Sequence, residues 1–322
     1  MDDKQRRNQK TRILVIAGPT ASGKSDLGIY LAKRLQGEIL SADSMQIYQE
    51  LSIGTAKPTP EQIKEVAHYL VDCVPLDQPF SVADYLAMAT QAIEEIVQHQ
   101  KLPIVVGGTG QYIDALLHGI SFFPESNHAQ VRETLQSELK SNGKEALWRK
   151  LFQVDPAYAR TLHYQNVKRV LRGIEFYQTT GMTMSEQLQK NQPKESSVYD
   201  PLMIGLGWRD RSILYDRIEQ RIDQMCNAGL LEEARRVYED RRSLCTVRQA
   251  IGYKEFFPYF EGEMSLEEAI AFLKQQTRRY AKRQLTWFRR NPQIHWYYLD
   301  DCDNIRTIYE QIRLFIEKTW NL

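Results

Sequence analysis

Cysteine is scarce in this sequence of 322 residues, and the four present, Cys73, Cys226, Cys245 and Cys302, stand apart with no CxxC pair and no Cys/His cluster. That scatter argues against a structural zinc and against a disulfide framework, and it suits reduced thiols. The six histidines show no HExxH or other paired-ligand spacing, so none is assigned to a metal. Long apolar runs are missing as well. With no stretch of about 18 uninterrupted apolar residues, no membrane span is expected. Met1 to Arg12 is polar and lacks the apolar stretch of a secretory signal. A cytoplasmic protein without an obligate protein partner is expected. An excess of one charge is absent too: 42 Lys and Arg against 41 Asp and Glu leave +1. Bulk basicity of the histone kind is excluded, whereas a local basic face is not.

What is present is ordinary globular material, 42% apolar and 26% charged, which excludes a disordered chain. The length suits a core domain plus a second unit. Ile13–Ala17, Glu38–Ala42 and Pro103–Val106 are short apolar runs of the buried-strand kind. Helical stripes lie between them. Leu27, Leu31 and Leu35 recur at helical spacing, with Gly37 as the stop. Thr59-Pro60-Glu61-Gln62 combines a cap, a first-turn proline and a capping-box glutamine. Leu86, Ala89, Ile93 and Ile96 make a further stripe. Strands alternating with helices predict a parallel sheet covered on both faces. After about Gly119 the pattern turns helical and polar, with helices expected over 131–139, 144–152 and 166–178, until the breaker Asn191–Ser197. Strand character returns at Leu202–Gly207. Helices are then expected over 213–225 and 266–290, and a late strand over 295–299. The expected organisation is a polar tail (1–11), an α/β core (12–120 and 199–322) and a helical insertion (121–198).

Gly18-Pro19-Thr20-Ala21-Ser22-Gly23-Lys24-Ser25 fits G-x-x-x-x-G-K-[ST], between an apolar strand and an amphipathic helix. Glycines let backbone N–H groups converge on phosphate oxygens, and the helix N-terminus favours negative charge. Lys24 is expected to neutralise the phosphates and Ser25 to complete the shell of a Mg²⁺ ion. Which phosphate is held stays open, since any diphosphate, ATP included, satisfies these donors. No apolar run ending in Asp follows, because Val105-Val106 ends in Gly107-Gly108. With this loop the expected α/β core is a P-loop NTPase-like parallel sheet, and kinase, NTPase and diphosphate transferase all remain possible on the loop alone.

Asp43-Ser44-Met45-Gln46-Ile47-Tyr48 follows the second strand, which sets Asp43 at the carboxyl edge of the sheet, where ligands bind in open α/β folds. A carboxylate there can take a nucleophile's proton, or it can simply cap the next turn. These segments, with Gly54-Thr55-Ala56-Lys57-Pro58 and Gly107-Gly108-Thr109-Gly110-Gln111-Tyr112, stand in an order and spacing that resembles the tRNA dimethylallyltransferases (tRNA isopentenyltransferases). The likeness runs on through Arg217–Arg221, Ile251-Gly252-Tyr253-Lys254 and Ala281–Trp287, over nearly the whole chain. It is to the bacterial type, without the C-terminal zinc finger of many eukaryotic relatives.

The resemblance implies transfer of the dimethylallyl group of dimethylallyl diphosphate to N6 of adenine 37, beside the tRNA anticodon, with diphosphate released. Gly18, Pro19, Thr20, Ala21, Ser22, Gly23, Lys24 and Ser25 then hold the donor diphosphate with Mg²⁺. Arg217 is implied to contact it, Arg221 with less support. Asp43 is implied as general base, and Thr109 as a site residue near donor or acceptor. The target base must be extruded to be reached. Ser44, Met45 and Gln46 are implied to line its channel, with Gln46 suited to a base edge.

Positive charge clusters in spite of the balanced sum. Arg278, Arg279, Lys282, Arg283, Arg289 and Arg290 fall in a stretch without an acidic residue, and Lys168, Arg169 and Arg172 follow Tyr164 and Asn166. Like charges at i, i+4 invite a counter-anion, and basic residues beside aromatics suit phosphate contact with stacking. The resemblance extends the implied tRNA contacts to Arg132, Val167, Val170, Arg248 and Lys254, with insertion and core clasping the anticodon stem-loop. Trp287 and Phe288 are read as core packing. Rival readings are a nucleoside or small-molecule kinase and a non-catalytic RNA-binding module.

Overall fold

A computed structural model describes residues 10–118, 129–190 and 198–322. Most of the polar tail, the 119–128 stretch where the insertion is expected to begin, and the Asn191–Ser197 breaker lie outside the described residues. In chain order the elements are β1 (Thr11–Ala17), α1 (Lys24–Leu35), β2 (Gly37–Ala42), α2 (Pro60–Glu65), β3 (His68–Tyr69), α3 (Val82–Gln98), β4 (Leu102–Gly107) and α4 (Gly110–His118). There follow α5 (Ala129–Val154), α6 (Pro156–Arg160), α7 (Val167–Thr180) and α8 (Met184–Lys190). Then come β5 (Tyr199–Gly207), α9 (Arg211–Asn227), α10 (Leu230–Glu239), α11 (Phe257–Phe260), α12 (Leu266–Phe288), β6 (Ile294–Tyr298) and α13 (Ile305–Trp320).

The chain divides into two compact units, Met1–Leu117 with Val198–Leu322, and His118–Ser197. The first is built on one sheet of order β3-β2-β4-β1-β5-β6, with every neighbouring pair parallel. Ile13 to Ala17 of the central strand are fully buried, as a strand covered on both faces requires. Each such large aliphatic side chain contributes roughly 1.5–3 kcal/mol of burial. Register sets Ala17 and Ala42 each opposite Gly107, so the loops after β1, β2 and β4 emerge side by side at the carboxyl edge. That is where an open parallel sheet binds its ligand.

Local signals mostly explain the elements. The Thr59 hydroxyl accepts from Gln62 N and the Gln62 side chain closes the capping box. Gly37 does not stop α1, however. Gln36 takes the left-handed C-cap position at φ 51°, and Gly37 already belongs to β2. The second unit has its own small core of Leu135, Leu147, Leu151, Ala159, Leu162, Val170 and Ile174. Its two expected first helices are joined as α5, broken at Gly143, where φ reaches 78°. Trp148 Nε1 donates to the carbonyls of Ala159 and Leu162, tying α5 to the end of α6.

Candidate active site

The phosphate loop joins β1 to α1. Ala21 and Gly23 both have positive φ, 60° and 87°, and Gly23 is the N-cap of α1, with no side chain to cap it. The first N–H groups of the helix therefore open toward the loop, which suits an anion. Ser22 is fully buried within it. The Lys24 ammonium folds back to donate to Pro19 O at 2.5 Å and lies 3.5 Å from Ser22 Oγ. Its pKa falls from 10.5 to about 7, first because burial disfavours the charge, next because Arg221 repels it; Asp43 acts the other way. An anion on the loop would remove that penalty.

Arg217 and Arg221 lie on the inward face of α9. Arg217 Nε donates to Ala21 O at 3.2 Å, and its guanidinium sits 5.0 Å from the Trp208 ring centroid. Arg221 is held below its ordinary pKa by burial, with Arg217 adding to the effect and Asp43 and Asp26 opposing it. Glu219 faces another way and pairs with Arg278 of α12. The Arg217–Arg221 pair is thus not a solvated helix face.

Asp43 does cap its turn: Oδ1 accepts from Met45 N at 2.8 Å and Gln46 N at 3.3 Å. It also lines two cavities. The Thr109 hydroxyl accepts from Ser44 N at 3.2 Å, so it braces the Asp43 turn; Thr109 does not itself line a cavity at this edge. The Gln46 amide is spent inside the protein. Its Oε1 accepts from Ser41 Oγ, and its Nε2 donates to the carbonyls of Thr55 and Ala56. With both ends engaged, the expected pairing of Gln46 with a base edge does not fit this arrangement.

Three cavities meet here. One of about 390 Å³ is polar, lined by the Ala21–Asp26 stretch with Lys57, Arg217 and Gln224. A second, of about 100 Å³, is lined by Lys24, Ser25, Asp43, Gly108 and Tyr280. The third, of about 490 Å³, has apolar walls of Ile218, Ile222, Met225, Leu230 and Leu273, and Asp43, Ser44 and Met45 at its edge. Arg221 lines all three, and Asp43 and Tyr280 line the last two. A charged diphosphate-sized space thus leads past a carboxylate to an apolar one.

Two residues from α12 complete this edge, and their role was not legible in the sequence. Gln284 is buried; its Oε1 accepts from Thr20 N at 2.8 Å and its Nε2 donates to Gly108 O at 3.0 Å. It locks the phosphate loop to the loop after β4. A Cβ on Gly108 would lie 2.1 Å from the Gln284 Nε2, which is why glycine stands there. Tyr280 keeps its phenol proton well above the ordinary range, chiefly through burial and then through the Asp43 charge. Gln284 lies within the Ala281–Trp287 motif and Tyr280 just before it, yet only the fold brings them to the loop.

The basic positions divide. Lys282 and Arg283 are exposed, with Arg283 over the Tyr280 ring at 5.6 Å. Arg278 is ion-paired with Glu219, so the counter-anion expected for the cluster is, for this member, supplied by the protein. Arg248 and Lys254 are exposed, and Lys254 Nζ donates to Gln249 O at 2.9 Å. In the second unit Asn166, Lys168, Arg169 and Arg172 are exposed on or just before α7. Val167 is half-buried. Val170 is 1% exposed inside that unit's core, so its side chain is inaccessible to RNA. Arg132 pairs with the buried Glu175 at 3.0 Å. Phe288 is buried as expected, whereas Trp287 is 39% exposed and donates to Asp114 Oδ2. Among the described residues no group of three His, Cys, Asp or Glu is placed to hold a metal. Any Mg²⁺ would rest on Ser25, whose exposed hydroxyl borders the two cavities at the loop.

Residues 46–291 match the family described as IPP transferase. The chain is 45% identical over 312 residues to the tRNA dimethylallyltransferase of Bacillus cytotoxicus, covering 97% of this chain and 96% of that one. It is 46% identical over 290 residues to the protein of the same name from Enterococcus faecalis, covering 89% and 92%. Among solved structures it is similar to the tRNA isopentenylpyrophosphate transferase of Bacillus halodurans, at 40% identity, TM-score 0.71 and 96% coverage of both chains. It is also similar to a eukaryotic dimethylallyltransferase acting on tRNA, at 31% identity and TM-score 0.72, covering 86% of this chain and 70% of that one.

Proposed function

This chain belongs to the tRNA dimethylallyltransferase (IPP transferase) family, and on that footing we propose that it moves the dimethylallyl group of dimethylallyl diphosphate to N6 of adenine 37 beside the tRNA anticodon. The observation that carries this reading is the run of cavities from the phosphate loop past Asp43 to apolar walls, with Arg221 common to all three. The space beyond the loop has apolar walls with polar groups beside them, which suits a short prenyl tail next to an extruded base.

The chemistry follows from the placement. The loop N–H groups, Lys24 and Arg217 hold the diphosphate and take up charge as the donor C1–O bond breaks. Ser25 would hold Mg²⁺, which would supply further neutralisation of the leaving group. The N6 lone pair forms the new C–N bond at C1, and the electrons of the C1–O bond leave with diphosphate. N6 is a weak nucleophile because its lone pair is delocalised into the purine. Asp43, with Oδ1 committed to its own turn, takes the N6 proton on Oδ2. Exposed Lys282 and Arg283, and the α7 cations, serve the RNA backbone.

The test is transfer without any nucleoside triphosphate. Anticodon stem-loop RNA incubated with the protein, Mg²⁺ and dimethylallyl diphosphate gains the mass of one prenyl group. RNA with guanine at the target position stays unmodified, having no N6 amine. Obligatory ATP consumption, or prenylation of the guanine RNA, overturns the reading.

A further inference from the structure

Neither Gly54–Pro58 nor Ile251–Lys254 carries the phosphate loop or the proton acceptor, yet the two segments meet at one buried anion, Glu233. This carboxylate, on α10, is 2% exposed and is surrounded by donors. Its Oε2 accepts from Ser52 N at 2.9 Å and Ile53 N at 3.0 Å; its Oε1 accepts from Gly54 N and from the Tyr253 phenol, both at 2.8 Å. Three successive backbone N–H groups converging on one anion form a nest, the arrangement in which proteins hold phosphates and carboxylates. Here the anion is the protein's own. Tyr253 is fully buried, and a Cβ on Gly54 would lie 2.8 Å from its ring, so glycine lets the two segments close on each other.

The path continues toward the chemistry. Gly54, Thr55 and Ala56 wall the apolar cavity of about 490 Å³. The carbonyls of Thr55 and Ala56 accept from Gln46 Nε2, and Gln46 N donates to Asp43 Oδ1. Glu233 is therefore joined to Asp43 through the 52–56 turn and Gln46, by bonds that each have a single geometry. We propose that Glu233 is a positioning residue: it is the anion around which the 52–56 turn closes, and through that turn and Gln46 it holds Asp43 where the acceptor's proton must go. The inference rests on the transferase reading given above and assigns Glu233 no contact with either substrate.

The experiment compares the full-length protein with Glu233→Ala and Glu233→Gln. Three quantities are measured: single-turnover prenyl transfer, the affinity for inorganic diphosphate, and hydrogen exchange of the 52–56 amides. Misplacement of a reacting group by an ångström typically costs about 100-fold in rate, and that loss is expected for E233A. Diphosphate affinity falls less than the transfer rate, since Lys24, Arg217 and the loop N–H groups are held outside the turn, while Ala56 and Lys57 also line that cavity. The Ser52, Ile53 and Gly54 amides lose protection, because their acceptor is gone. Formate refills the nest and restores both protection and rate in E233A, while leaving the wild type unchanged, a response that general destabilisation does not produce. Should E233A not fold, E233Q keeps the volume and is expected to lose the same protection and rate to a smaller degree, because its amide offers one acceptor oxygen in place of two. Transfer by the variants within about threefold of wild type overturns the proposal, as does slow transfer with the protection of the Ser52, Ile53 and Gly54 amides intact. Failure of the wild type to prenylate RNA falls on the function instead, and the exchange arm still reads out the nest.

Discussion

Without bound donor, Lys24 has its pKa lowered to about 7, by burial first and by Arg221 second. Binding of a diphosphate surrounds the same ammonium with negative charge and returns it toward its ordinary range. Donor binding must therefore draw a proton from solvent. With a donor-free pKa near 7, Lys24 is about nine-tenths neutral at pH 8, so about 0.9 proton is taken up per diphosphate bound there, against about 0.1 at pH 6. The same linkage sets affinity. Above pH 7 each further unit costs about 1.4 kcal/mol, a tenfold rise in Kd, until the bound-state pKa is reached.

The assay is calorimetric titration with inorganic diphosphate and Mg²⁺ at pH 6, 7 and 8, in buffers of differing ionisation enthalpy. The slope of the observed enthalpy against the buffer enthalpy counts the protons. Diphosphate titrates as well, so Lys24→Met supplies the reference, and the wild-type minus variant difference isolates this side chain. A difference below about 0.2 proton at pH 8 would mean that Lys24 is already charged in the donor-free loop and that the desolvation argument is wrong.

Other perturbations test the remaining parts. Unfolded, Lys24 holds its proton to pH 10.5 and folded only to about 7. The unfolded state thus binds more protons in that window, so the donor-free protein gains stability from this group between pH 7 and 9, a rise in Tm that Lys24→Met removes. Asp43→Asn can still accept from Met45 N and Gln46 N, so the turn survives while the proton acceptor goes; kcat falls by about 10²–10⁴ with RNA affinity unchanged, and a wild-type kcat would reduce Asp43 to a cap. Lys282→Ala with Arg283→Ala weakens RNA binding and lowers the slope of log K against log salt by about 0.7–0.9 for every phosphate left without its cation; an unchanged slope marks both side chains as merely solvated. Gly108→Ala drives a methyl into the Gln284 amide and breaks the bridge to Thr20, so diphosphate affinity falls with the fold retained, and unaltered affinity would separate Gln284 from the site.

What could be read from residues alone was whatever is written locally. The phosphate loop, the capping box at Thr59 and the apolar strands each carry their signal within about ten residues, because a turn or a strand is decided by its own neighbours. Even there a local reading can miss: Gln36, not glycine, takes the left-handed cap of α1, and Gly37 serves a different need, since a Cβ there would meet Ile104 Cδ1 at 2.6 Å. The bonds that build the site are of another kind. Gln284 reaches Thr20 across 264 residues, Glu233 reaches Ser52 across 181, and Arg278 finds Glu219 across 59. None has a spacing rule, because each exists only once the parallel sheet has brought α9, α10 and α12 over one edge. The 278–290 stretch, free of acidic residues in sequence, misleads at Arg278 for this reason, since pairing is decided in space. The same logic separates Val170 from Lys168 and Arg169. All three stand within one turn of α7, yet helical geometry turns Val170 into the core of its unit and leaves the two cations outside. A motif thus names the chemistry that a segment can perform. Only the long-range bonds decide whether its side chains are free to perform it, and Gln46, with its whole amide given to Ser41, Thr55 and Ala56, is the clearest case.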